Sequence, residues 1–199
     1  WLAPVFNEPV FSRAPEKLNS FGWQGTGVKA LIQNRFEGAL NPVKTLHALR
    51  QYGVSRGLTY LTAGVSGYEE GASGCTVRFR LNQGEEISVA CGKLVICTNA
   101  FASELLESDT PTPGKGQVLI TKPLSRMPLN GVFHYDEGYY YFRNVGSRLL
   151  LGCGRNLDFK GEETTNFDGS DAIRERLIEL LYEVILPGAQ VEIDMHWSG

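Results

Sequence analysis

The aromatic run Tyr135, Tyr139, Tyr140, Tyr141 and Phe142, with Arg143 beside it and Arg155 further on, concentrates the side chains able to hold a small molecule. Strand alternation puts Tyr139 and Tyr141 on one face and Tyr140 on the other. One face can then line a pocket with a phenol as hydrogen-bond donor, and the arginines can clamp a carboxylate. The plainer reading is strand filler with exposed arginines, because Tyr and Phe favour pleated, half-buried positions, and on these residues alone filler is preferred. Other chemistries find less support. His47, His134 and His196 lie far apart with no ligand-type spacing, so no metal site is expected. A Gly-x-Ser-x-Gly elbow is missing, and Gly64-Val-Ser-Gly67 is a superficial echo of one. Gly152-Cys-Gly154 follows a strand, but Leu157 stands at the third glycine position of a dinucleotide fingerprint. In Gly22-Trp-Gln-Gly-Thr-Gly27 the glycine spacing is reversed. No phosphate-cradling loop is expected from these residues.

The elements that must position these side chains fall into two groups. Residues 1–37 are broken by Pro4, Pro9, Pro15 and several glycines, with one short strand expected at 28–33. A helix follows: Asn41 can cap it, Pro42 suits its first turn, Val43, Leu46, Leu49 and Tyr52 recur at helical spacing, and Gly53 or Gly57 ends it. Strands are expected at 58–62, 65–69, 76–81, 86–89 and 93–97, the last apolar without alternation, as in a strand buried on both faces. A short helix should start at Asn99, and residues 109–114 read as a linker. Beyond it, strands at 116–121, 132–135, 138–143 and 148–152 suggest an antiparallel sheet. A helix capped by Asp168 or Ser170, with Ile173, Leu177, Leu180, Leu181, Val184 and Ile185 on its apolar face, and a strand at 190–196 complete the pattern.

Composition narrows the class of protein. The chain has 199 residues, 42% of them apolar, with 23 Gly and 9 Pro, which is globular and excludes disorder, collagen-like repeats and coiled coil. A formal charge of −3 leaves no basic surplus for a nucleic-acid partner. Apolar runs are strand-sized, so no membrane span is expected. Cys75, Cys91, Cys97 and Cys153 form no Cys-x-x-Cys pair and read as reduced thiols of a cytoplasmic protein. The opening Trp1-Leu-Ala-Pro4 has no signal-peptide character and suggests a piece of something longer.

Six segments then carry a family resemblance. They are Gly38-Ala-Leu-Asn-Pro-Val-Lys-Thr-Leu with its helix, Arg56-Gly-Leu-Thr-Tyr-Leu-Thr-Ala-Gly-Val65, Lys93-Leu-Val-Ile-Cys-Thr-Asn-Ala-Phe-Ala102 and Gly114-Lys-Gly-Gln-Val118. To these add the hairpin from Gly138-Tyr-Tyr-Tyr-Phe-Arg143 to Arg148-Leu-Leu-Leu-Gly-Cys-Gly-Arg155, and Trp197-Ser-Gly199. In this order they resemble the D-amino-acid-oxidase-like FAD-dependent oxidoreductases, a group that includes glycine, sarcosine and γ-glutamylputrescine oxidases. Lys115 stands where that family usually has Arg, and Cys153 where Gly is common.

The resemblance implies an α+β, α/β architecture: a partial FAD-binding α/β layer at 38–110 and an antiparallel-sheet substrate domain with flanking helices at 111–199, to which 1–37 also belongs. It implies an enzyme that takes a hydride from the C–N-bearing carbon of an amine or amino acid onto flavin. Tyr140 matches a substrate-side tyrosine, and Arg143 and Arg155 are candidates for an acidic substrate group. Val65 would meet the adenine of the cofactor through its backbone, and Thr98, Asn99 and Ala100 would line the cofactor cleft. Family members start with a Gly-x-Gly-x-x-Gly unit that is missing here, so this chain resembles the core of such an enzyme, expected to be inactive and without tight FAD binding alone. The alternative is a non-catalytic ligand-binding or interaction module; a tRNA-modifying or glycerol-phosphate relative is a third possibility, and the acidic balance disfavours the tRNA role.

Overall fold

In chain order the computed structural model, which describes residues 3–81, 84–107 and 110–199, has ten strands and four α-helices. The strands are β1 (Phe11–Arg13), β2 (Ile32–Asn34), β3 (Gly64–Gly71), β4 (Gly74–Arg80), β5 (Glu86–Cys91), β6 (Gln117–Thr121), β7 (Val132–Tyr135), β8 (Tyr140–Val145), β9 (Arg148–Cys153) and β10 (Ile193–Ser198). The helices are α1 (Ala3–Phe6), α2 (Glu16–Ser20), α3 (Pro42–Ser55) and α4 (Asp171–Leu180). They form two compact units, one of residues 1–39 with 114–199 and one of residues 40–113.

The first unit is built on a five-stranded antiparallel sheet in the order β10-β6-β9-β8-β7. The β8–β9 hairpin closes through Gly146-Ser147, with Gly146 at φ 60°, the left-handed conformation that two-residue loops require. One face of the sheet is sealed. Ser170 takes the N-cap position of α4, and Ile173, Leu177, Leu180, Leu181 and Ile185, spaced at i, i+4, i+7, i+8 and i+12, pack on Leu119, Tyr140, Phe142, Leu149 and Leu151. Leu181–Ile185 widens into a π-turn before the Leu186-Pro187-Gly188 stop. Each fully buried Leu or Ile contributes about 1.5–3 kcal/mol relative to exposure.

Residues before Gly38 join this same core. Trp23 is buried beneath the ring of Phe21 and edge-on to Phe133 and Phe142, and its indole N–H donates to the Ile185 carbonyl at 3.1 Å. The strand expected at 28–33 forms only as the short β2, paired with β1.

The second unit holds α3 and the meander β3-β4-β5. Asn41 caps α3 by accepting from the Lys44 N–H at 3.0 Å, with Pro42 in the first turn, and Gly57 (φ 92°) takes the chain out of the helix. Two expectations fail here. Residues 58–62 and 93–97 form no strand, because no neighbouring strand pairs with them among the described residues, and Val95 is 79% exposed. The short helix at Asn99 is a 3₁₀ turn, Asn99–Glu104, and the linker expected at 109–114 lies partly outside the described residues.

Trp23→Ala should cost about 3–5 kcal/mol of stability in urea unfolding. Trp23→Phe should still cost about 1–3 kcal/mol, because it leaves the buried Ile185 carbonyl without its donor.

Candidate functional site

The two faces of the five-stranded sheet separate the expected site residues. Register pairs Tyr140 with Cys153 and Phe142 with Leu151, and the Tyr140, Phe142 and Leu151 side chains belong to the face under α4. Tyr140 is 1% exposed there, its hydroxyl hydrogen-bonded by Arg176. It is a core residue. The opposite parity, Tyr141 and Arg143 on β8 with Gly152 and Leu150 on β9, occupies the other face. Val132 and His134 of β7 and Met195 and Trp197 of β10 share it and are exposed.

Tyr141 lies flat across this face. A Cβ built on Gly152 would stand 2.8 Å from both Cζ and the hydroxyl oxygen of Tyr141, and 3.0 Å from the Gln117 carbonyl. Burial pushes the Tyr141 phenol above its ordinary value, and the neighbouring Cys153 thiol adds to the rise, so the group stays protonated and able to donate. Cys153 reaches it by an unusual route. Its backbone has φ 100°, and its Sγ lies 3.9 Å from a Cβ built on Gly116, a residue of the Tyr141 parity. The left-handed backbone turns the thiol toward the face that strand alternation alone would deny it.

Arg155 is placed apart from Tyr141 and Arg143. It follows β9 in a 3₁₀ turn (Arg155–Leu157), with its guanidinium against Gly114 and 5.6 Å from the Phe159 ring centroid. Beside it a buried polar cluster fixes the loop over the sheet end: the Gln117 amide donates to Glu162 Oε1 at 3.0 Å, and Lys115 Nζ lies 3.8 Å from the same oxygen.

The second unit gathers two of the remaining candidates. Val65 on β3 and Thr98, just ahead of the 3₁₀ turn, line one largely apolar cavity of about 280 Å³ with Val77, Phe79, Val89 and Ile96. Thr98 Oγ1 is buried there without a hydrogen-bond partner. Asn99 opens the turn at φ 48°, and Ala100 is half-buried within it; neither lines the cavity. Among the described residues no group of three or more His, Cys, Asp or Glu is arranged to hold a metal ion. No helix among them is long and apolar enough to cross a membrane.

In the sequence Tyr141 stands out only within the aromatic cluster, and Gly152 and Cys153 within the near-miss glycine motif, with no site role assigned to any of the three. The alternation that pairs Tyr141 with Arg143 was legible; which parity α4 would cover was not.

The profile of the FAD-dependent oxidoreductase family matches residues 10–199. No curated protein matches the chain. Among solved structures, it is similar to a glycine oxidase from Geobacillus kaustophilus, with TM-score 0.74 and 18% identity over 99% of this chain and 52% of that one. It is also similar to an L-proline dehydrogenase from P. horikoshii, with TM-score 0.73 and 17% identity over 95% of this chain and 52% of that one. The chain thus spans about half the length of these structures.

Cys153→Gly should raise stability by about 1 kcal/mol, seen as a higher urea midpoint, because glycine adopts φ 100° without the strain a side chain brings.

Proposed function

Because the chain belongs to the FAD-dependent oxidoreductase family, we propose that it is the core of a flavoenzyme oxidising the C–N bond of a small amine or amino acid. The observation that carries this reading is that Tyr141 and Arg143 share the sheet face away from α4. A guanidinium two residues from a protonated phenol can hold a carboxylate while the phenol donates to a second polar group of the same small molecule. Both similar structures are enzymes named for amino acids, which supports that substrate class. Tyr140, the tyrosine suggested by the family resemblance, is sealed in the core, so the substrate-side role passes to its neighbour Tyr141. Arg155, packed on Gly114 and Phe159, frames the end of the sheet.

The second unit fits the flavin cofactor at its adenine end. The cavity walls are apolar, as a flat purine needs, and Thr98 Oγ1 is an orphaned polar atom available to it. Val65 and Thr98 would hold that end, with Asn99 and Ala100 shaping the adjoining turn. When bound, FAD supplies the acceptor for the hydride that leaves the substrate carbon. This chain's own residues bind and orient the substrate and hold the Tyr141 proton.

We further read the second unit as one layer of a larger domain. Val43, Leu46 and Leu49 on the apolar stripe of α3 are 76%, 70% and 62% exposed, and residues 58–62 and 93–97 are strand-like in sequence yet unpaired. Such a stripe with no cover points to more polypeptide packing on it, including the phosphate-binding loop. The chain alone should then bind FAD weakly and turn nothing over. The four free cysteines agree with a reducing, cytoplasmic setting.

An FAD titration followed by visible absorbance, on this chain and on the product of any longer reading frame, tests the proposal. Bound flavin and amine oxidation in the longer form are expected; a longer form that binds no flavin would leave a non-catalytic binding module. In the active form, Arg143→Met should raise KM for a carboxylate substrate by about 10–100-fold with a smaller change in kcat, the loss of a charge-assisted contact. Leu46→Glu should change the urea stability of this chain by less than about 0.5 kcal/mol, as at other exposed sites. It should be severely destabilising in the longer form.

A further inference from the structure

We infer that Gly152 is a positioning residue for Tyr141: by having no side chain, it lets the phenol lie flat on the sheet and fixes where the hydroxyl stands relative to Arg143. The inference rests on the proposed use of this sheet face for substrate, and deepens it. Gly152 sits within a hydrogen-bonded ladder one residue before the end of β9, paired with Tyr141 on one side and Val118 on the other. No turn or positive φ calls for glycine at this position; the positive φ values belong to Cys153 and Gly154 after it. What calls for glycine is the close approach of a ring. A Cβ there would meet Tyr141 Cζ and Oη at 2.8 Å, distances that real Cβ atoms do not show. The Gln117 carbonyl at 3.0 Å is a cross-strand backbone group and cannot withdraw without breaking the ladder, so the ring must be the part that moves.

Two neighbours define the position that the glycine permits. Cys153 places its thiol beside the phenol from the same strand, and Gly116 leaves room for that thiol from β6. A methyl group at 152 would lift the phenol away from both and into solvent. The hydroxyl would rise from the sheet and its burial would fall. Two readouts follow that a merely structural glycine would not move: the titration of Tyr141 and the dependence of the Gly152 effect on the Tyr141 side chain.

The test uses Gly152→Ala, Tyr141→Phe and the double variant. On this chain, tyrosinate absorbance is titrated with base, and the step lost in Tyr141→Phe identifies Tyr141. In Gly152→Ala that step should move down toward the ordinary tyrosine value; an unmoved step overturns the inference. In the flavin-loaded longer form, Gly152→Ala should lower kcat/KM by about tenfold or more with Tyr141 present and by less than about threefold in the Tyr141→Phe background, a coupling of neighbours in contact. Equal losses in both backgrounds overturn it as well. Should Gly152→Ala fail to fold, Tyr141→Ala beside it must restore folding, and failure to do so counts against the inference. A longer form that oxidises no amine refutes the proposed function, while the titration still decides the role of Gly152.

Discussion

In an antiparallel ladder the side-chain period is two, so every residue on a face follows from a single parity choice, and in this chain α4 makes that choice. Ile173, Leu177 and Leu180 of the helix, with Leu181 and Ile185 of the π-turn after it, need a surface of matching size, which Leu119, Leu149, Leu151, Tyr140 and Phe142 supply. Trp23, from a segment more than ninety residues earlier than β6, locks the arrangement by donating to the Ile185 carbonyl. Once that face is sealed, Tyr141 and Arg143 have only the other one. A slip of one residue would expose Leu151, at a cost of about 1.5–3 kcal/mol, and bury an arginine charge against α4, which costs more. The chemistry of the sheet is therefore set by the packing of its back.

The second unit shows the same physics without its resolution. The α3 stripe and the segments 58–62 and 93–97 carry the patterns of buried elements, and local signals suffice to make the helix, whose cap bond and terminal glycine are both in place. Local signals do not suffice for a strand. A strand is a relation between two segments, and a run such as Leu94-Val-Ile96 remains extended chain until a partner donates to and accepts from its backbone. That difference separates the helix that formed from the strands that did not.

How much could be read from the sequence follows the same division. The hairpins of the first unit, α4 and its apolar face, and the cap of α3 were visible because turns, periodicity and caps are local. The family resemblance placed Tyr140 as the substrate-side phenol, and alternation placed Tyr139 and Tyr141 on the opposite face; which parity meets α4 is a tertiary fact that neither could supply. Val65 and Thr98 were named from that resemblance, and the structure brings both to one cavity that Asn99 and Ala100 do not line. Cys153 escaped because strand alternation assumes a negative φ, and at φ 100° the rule inverts.

The segment Gly152-Cys153-Gly154 concentrates these departures in three residues. Gly152 yields space to a ring, Cys153 is turned to the wrong side for its register, and Gly154, also left-handed, passes under Tyr140 and Ile173, where a Cβ would lie 3.2–3.3 Å from both. Gly152 and Cys153 serve the Tyr141 face, and Gly154 serves the core as the chain leaves toward Arg155. A strand end that must satisfy both faces at once has few side chains to choose from. The two glycines answer that constraint by having no side chain, and the cysteine answers it with backbone strain, which is the form strain takes where a fold places a chemical group that regular geometry would point elsewhere.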